Sequence, residues 1–254
     1  MRVIVNGSNG RMGKEVIRMI QEGYPGNEVV AGVDINNSAA EKFPIYENIE
    51  DFVGEADCII DFSHHSVTKR LMDFAVERKI PVVVATTGHT DEELEMIDKA
   101  SGSVAVFRSA NMSVGIALLV NLAKSTAKAF PNADIEIIEK HHNRKLDVPS
   151  GTALMLADAV KEARPDCEYV IGRHENGKRN PKELGIHSLR LGNVIGEHEV
   201  IVATDTQVIT LKHEAQSRSL FAEGAIVAAE FLSKCRENRI YNMDDMLKED
   251  NNDL

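Results

Sequence analysis

Cysteine is scarce in this chain. Only Cys58, Cys167 and Cys235 occur, far apart, odd in number and in no C-x-x-C pair. That argues against a disulfide framework or a cysteine zinc site and leaves reduced thiols, the state expected in the cytoplasm. Basic residues are outnumbered: 29 Lys and Arg face 40 Asp and Glu, a formal net charge of −11. A chain of this sign is poorly suited to tracking a phosphodiester backbone, so nucleic acid is not an expected partner. A small anionic ligand needs only a local positive pocket and stays open. No apolar run approaches the roughly 18 residues of a membrane span. No secretory pattern precedes the first strand, so neither membrane insertion nor export is expected. Repeats and low-complexity stretches are also missing. What remains is 254 residues with 43% hydrophobic and 27% charged side chains, enough for one large domain or two small ones.

The first two thirds alternate short apolar runs with helical periodicity. Strands are expected at residues 3–5, 29–33, 58–60, 81–85 and 104–107. Helices are expected at about 11–21, 67–78 and 91–100, the first with Met12, Val16, Met19 and Ile20 on one face. Apolar strands separated by helices imply a doubly wound parallel sheet covered on both sides. After about Asn111 the pattern changes. A long helix fits 113–130, with Val114, Ala117, Leu118, Asn121, Leu122 and Ser125 along one side. A strand follows at 135–138, a polar loop at 141–149, a helix at 152–162 and strands at 186–190, 199–203 and 208–212. That succession predicts an α+β domain with a mixed or antiparallel sheet. Residues 216–234 return to an Ala-rich helix, and 248–254 read as a frayed terminus. The expected division is 1–112 with 218–254 as one domain and 113–217 as a second.

Gly7-Ser8-Asn9-Gly10-Arg11-Met12-Gly13 directly follows a strand and opens a helix. Glycines there permit a tight turn and close approach of a pyrophosphate to free N–H groups at the helix start. A glycine turn without a ligand is the bland alternative. Asp34 ends the second strand, where a carboxylate accepts hydrogen bonds from an adenosine ribose. It would repel a 2′-phosphate, and Ile35-Asn36-Asn37-Ser38 supplies no compensating cation, Arg11 being the nearest. NADH is therefore expected ahead of NADPH. Two strand-end segments, Ala85-Thr86-Thr87-Gly88 and Ser109-Ala110-Asn111-Met112, could lie under a nicotinamide, although turn chemistry explains Thr and Gly equally well.

The densest cluster of chemistry is Glu139-Lys140-His141-His142-Asn143-Arg144-Lys145-Leu146-Asp147-Val148-Pro149-Ser150-Gly151-Thr152-Ala153. Adjacent histidines on an extended segment point opposite ways, so they should have different tasks. Ser150 is placed to cap a helix, leaving the N–H groups of Gly151 and Thr152 to an anion. Cations facing a helix N-terminus suit a small carboxylate. A capped surface loop is the alternative. Elsewhere, one of His64 and His65 could approach the cofactor, but metal binding lacks further ligands. Gly196-Glu197-His198 reads as a turn before a strand. His213-Glu214 with Ser217-Arg218-Ser219 marks the crossing back to the first domain.

These segments together resemble the dihydrodipicolinate reductase family over essentially the whole chain. The marks are GSNGRMG at 7–13, Asp61-Phe62-Ser63, Thr86-Thr87-Gly88, Ala110-Asn111-Met112-Ser113 and above all EKHHNRKLDVPSGTA. The resemblance implies NADH- or NADPH-dependent reduction of a cyclic dicarboxylate imine, 4-hydroxy-tetrahydrodipicolinate, in lysine and diaminopimelate biosynthesis. It implies His141 as proton donor/acceptor, Lys145 as second proton donor, and His142, Gly151 and Thr152 as substrate ligands. It implies cofactor contacts at Gly7, Ser8, Asn9, Gly10, Arg11, Met12, Asp34, Ala85, Thr86, Thr87, Ser109, Ala110, Asn111 and Met112, with no metal. It also implies a dinucleotide-binding domain at 1–112 with 218–254, a substrate-binding and oligomerisation domain at 113–217, and a homotetramer. Bringing nicotinamide and substrate together would require domain closure, with hinges expected near 111–113 and 216–220. Ala85, Met112 and Val148 depart from the family's usual Gly, Phe and Ala, and the cation usual after Asp34 is missing. No catalytic position is lost. A related amino-acid dehydrogenase and a non-catalytic dinucleotide sensor are the competing classes.

Overall fold

Apolar runs too short for helices become strands. In the computed structural model, which describes residues 1–36 and 42–250, these are β1 (Arg2–Asn6), β2 (Glu28–Val33), β3 (Ile45–Tyr46), β4 (Cys58–Asp61), β5 (Val82–Val84) and β6 (Val106–Arg108). All pair in parallel, in the order β6-β5-β4-β1-β2-β3. Parallel strands need crossovers, supplied by α1 (Arg11–Gly23), α2 (Thr68–Arg78) and α3 (Asp91–Ser101). The chain order reverses between β1 and β4, where open α/β sheets bind ligands outside the strands' carboxyl ends. α1 buries Gly13, Val16, Ile17 and Ile20. The expected face thus turns slightly: Ile17 goes inward, and Met12 and Met19 are left half-buried. Asn37 and Ser38 lie outside the described residues.

The chain divides into two units, Met1–Ser113 with Ser219–Leu254, and Val114–Arg218. The second contains α4 (Val114–Ala129), β7 (Asp134–His141), α5 (Gly151–Ala163), β8 (Glu168–Ile171), β9 (Glu183–Arg190), β10 (Gly196–Ala203) and β11 (Val208–Ala215). Its mixed sheet has the order β11-β10-β7-β9-β8. β7 pairs antiparallel with β10 and parallel with β9. The two helices cover one face over Ile135, Ile137, Leu156, Leu184, Ile186 and Val200, all fully or almost fully buried. α4 buries Ile116, Ala117, Leu119, Ala123 and Ala127, sharing only Ala117 with the stripe read from its sequence. Leu118 and Leu122 are exposed. The helix is apolar on two sides, and the sheet, which periodicity does not see, selects one.

Three further readings need correction. Gly196, Glu197 and His198 are buried residues within β10, not a turn, because each has a partner on β11. His213 and Glu214 belong to β11 and precede the crossing. Finally, the chain beyond α6 (Ser219–Leu232) holds more than the frayed terminus expected at 248–254. α6 packs on α1, β4, β5 and β6. It is followed by β12 (Ile240–Tyr241), which joins the β6 edge as a seventh parallel strand, and by α7 (Met243–Asp250). The tail from Lys248 is therefore helical through Asp250; residues 251–254 lie outside the described residues. No described helix is long and apolar enough to cross a membrane.

Candidate active site

In the first unit the glycine turn is sterically enforced. Gly7 has φ +79°, and a Cβ there would lie 2.5 Å from the Phe62 carbonyl oxygen. A Cβ on Gly13 would lie 2.1 Å from the Gly7 carbonyl oxygen. Gly10 caps α1 without a side-chain hydrogen bond, so the opening N–H groups of the helix are left for water or an anion. Asn9 and Asn36 donate backbone N–H groups to Asp34, at 2.9 and 3.0 Å. That fixes the carboxylate at the end of β2.

Two cavities meet at the switch point and share Phe62, Ser63 and His64. One, of about 310 Å³, is lined by Gly7, Gly10, Asp34, Glu47 and Arg70. The other, of about 540 Å³, is lined by Met12, Ala85, Thr86, Thr87, Phe221 and residues 109–112. Glycine turn, Asp34 and both strand-end segments thus come together. Ser8, Asn9 and Arg11 line neither cavity. Ser8 is fully buried and gives its N–H to Val33, while Arg11 is exposed on α1. Beneath the crevice Asp61 accepts from Asn6 Nδ2 at 2.8 Å and Ser63 Oγ at 2.5 Å. Burial pushes its carboxyl upward against those donors. His65 is held by Glu93 at 2.9 Å, leaving His64 as the cavity histidine.

In the second unit, the buried face of β7 begins apolar, with Ile135 and Ile137, and ends polar, with Glu139 and His141. Period-two alternation places all four side chains on that face. Glu139 is fully buried. Its Oε2 accepts from His141 Nδ1 at 2.5 Å and Arg190 Nη1 at 2.8 Å. Its Oε1 accepts from Arg190 Nη2 at 2.7 Å and the Ser150 N–H at 3.2 Å. Burial opposes the charge, yet the hydrogen bonds from His141 and Arg190 win and hold the carboxyl at about 2.

Ser150 caps α5, accepting from the Ala153 N–H at 3.2 Å, as expected. Its hydroxyl also meets His198 Nε2 at 3.2 Å. The His198 ring stands edge-on to His141, centroids 5.1 Å apart. Burial, then the His141 charge, lowers His198 to about 4, so it is neutral at pH 7. Lys145 pairs with Asp147 at 2.9 Å. Burial and the cations Arg144, Arg218, His141 and Lys145 press His142 toward its neutral form. Gly151 and Thr152 form the first turn of α5. The ensemble presents a hydrogen-bonded imidazole, an ammonium and a helix start, a set able to bind carboxylates and supply a proton.

Arg190 and His198 were not anticipated. They stand opposite His141 and Glu139 on neighbouring strands, a relation only the sheet register reveals. Glu139 carried a usable signal, lying two residues before His141 on one strand face.

Family models for the N-terminus and C-terminus of dihydrodipicolinate reductase match residues 1–112 and 115–247. The 4-hydroxy-tetrahydrodipicolinate reductase of Caldanaerobacter subterraneus subsp. tengcongensis is 48% identical over 250 residues, 98% of each chain. That of Clostridium tetani is 43% identical over 249 residues, 97% of each. The solved dipicolinate-bound dihydrodipicolinate reductase of Paenisporosarcina sp. TG-14 superposes with a TM-score of 0.81 at 26% identity, covering 95% of this chain and 97% of that one. A diaminopimelate dehydrogenase of C. glutamicum shares the fold alone, with a TM-score of 0.59 at 12% identity, covering 96% and 92%.

Proposed function

The chain belongs to the dihydrodipicolinate reductase family, and from that premise we propose that it reduces 4-hydroxy-tetrahydrodipicolinate to tetrahydrodipicolinate with NADH or NADPH. The step belongs to lysine and diaminopimelate biosynthesis. The observation that carries the reading is the buried Glu139–His141 pair beside the capped start of α5.

The glycine-lined crevice fits a dinucleotide. The first turn of α1 would hold its pyrophosphate, Asp34 the ribose hydroxyls, and residues 85–87 and 109–112 the nicotinamide, which supplies a hydride when bound. Asp34 and Glu47 line the adenosine side. The cation there, Arg70, is paired with Glu50 at 2.8 Å. An acidic rim with its guanidinium engaged disfavours a 2′-phosphate, which supports NADH as the better cofactor.

His141 donates and recovers the proton that must follow hydride addition. Lys145 exchanges Asp147, which is mostly exposed, for the charge on the substrate, acting as charge and second proton donor. His142 and the N–H groups of Gly151 and Thr152 receive the carboxylates. Cationic groups over the developing negative charge lower the barrier. The second unit serves substrate binding and assembly into a homotetramer. Its open sheet face leaves Leu189 and Val208 exposed. Cys58 and Cys167 are buried thiols outside any disulfide, which suits the reducing cytoplasm.

The test is the fall of NADH absorbance on substrate generated in situ from pyruvate and aspartate semialdehyde by the enzyme that condenses them. Oxidation of NADH there, with none of NAD reduced by amino acids, supports the reading. Turnover of amino acids alone would replace it with an amino-acid dehydrogenase.

A further inference from the structure

We infer that Glu139 and Arg190 are positioning residues for His141: they fix a proton on its Nδ1 and present Nε2 as the atom that exchanges a proton with substrate. The inference deepens the reading of His141 as proton donor and rests on it.

Glu139 accepts from His141 Nδ1, from both Arg190 Nη atoms and from the Ser150 N–H. A carboxylate receiving four donors has no use for a proton of its own, so the hydrogen shared with His141 belongs to the imidazole. Nε2 faces the other way, 3.2 Å from where a Cβ on Gly196 would stand, and no side chain occupies that position. Arg190 is opposite His141 in the register of β7 and β9. It also donates to the Asp147 carbonyl at 2.7 Å. One buried carboxylate thus ties the ring, the strand-end arginine, the loop bearing Lys145 and the N-cap of α5. The charged or titratable groups around the ring are Glu139, Arg190, His198, His142, Lys145 and Asp147.

In turnover the imidazolium passes its Nε2 proton to the substrate atom bearing the electron pair displaced by hydride addition. The ring keeps its Nδ1 proton, Glu139 stays a carboxylate, and solvent reprotonates Nε2.

Nitrogen-15 NMR of the wild-type chain reads the tautomer without any turnover. Nδ1 should carry the proton when the ring is neutral; a neutral ring protonated at Nε2 would overturn the inference. In steady-state kinetics, Glu139→Gln should lower kcat by about 10²- to 10⁴-fold with KM within about threefold. Its pH–rate limb for the acid should move to lower pH, and Glu139→Asp should bring that limb back. A kcat within twofold of wild type sinks the proposal, as does a lost kcat with an unmoved limb, which marks a merely structural tie. If Glu139→Gln fails to fold, the wild-type tautomer decides alone. Absence of turnover by the wild type would fail the functional reading while leaving the tautomer result standing.

Discussion

Gly196 lies against His141, where a Cβ would stand 3.2 Å from the imidazole Nε2. A larger side chain would crowd Nε2, the atom proposed above to exchange a proton with substrate. Gly196→Val should therefore reduce kcat by about tenfold or more. Binding of NADH, titrated by fluorescence, should be unchanged, since the glycine turn and Asp34 belong to the other unit. Unimpaired turnover would mean that the ring reacts from another side.

On the proposed mechanism, His141→Gln removes the proton donor and should lower kcat by about 10²- to 10⁴-fold. Lys145→Ala should damage kcat and KM together, since the same ammonium binds the ground state and stabilises the developing charge. Steady-state kinetics with saturating NADH separate the two. Near-wild-type turnover of His141→Gln would take that residue out of the chemistry.

His198 should make stability fall in mild acid. It titrates at about 4 in the folded chain against 6.5 for the model imidazole, because burial and then the charge of His141 oppose protonation. The unfolded state therefore binds the proton first. The contribution is complete above pH 6.5 and declines as pH falls toward 4, worth about 3 kcal/mol across that window. Glu139, held at about 2, loses its contribution only below the usual carboxylate range, so the two windows separate. Urea unfolding at stepped pH should show the loss, and His198→Asn should flatten it.

Asp34 should set cofactor choice. The wild type should show a higher kcat/KM with NADH than with NADPH, and Asp34→Ala should shrink the ratio by about tenfold or more, the scale of one charge-assisted hydrogen bond. The ratio is the proper measure, because Asp34 also accepts the N–H groups of Asn9 and Asn36. A strong wild-type preference for NADPH would contradict the reading of the acidic rim.

Legibility in the sequence followed the range of the interactions. The turn at 7–13, the apolar strands and the Ser150 cap are local patterns and could be read directly. Arg190 and His198 reach Glu139 and Ser150 across 51 and 48 residues, so no spacing announces them. Sequence starts β10 at Glu199, because a glycine suggests a turn; in the fold Gly196 leaves room for a ring on the next strand. The two-residue strands β3 and β12 are too short to show a period. The buried stripe of α4 was misassigned because Leu118 and Leu122 are as apolar as the side chains that face the sheet.

The interrupted architecture of the first unit bears on biosynthesis. After residue 113 leaves the ribosome, that sheet must wait for another 105 residues, Val114 to Arg218, before α6 begins, and longer still for β12. Meanwhile β6 offers a bare backbone edge to any passing strand. Truncation ahead of β12 would make that nascent vulnerability permanent.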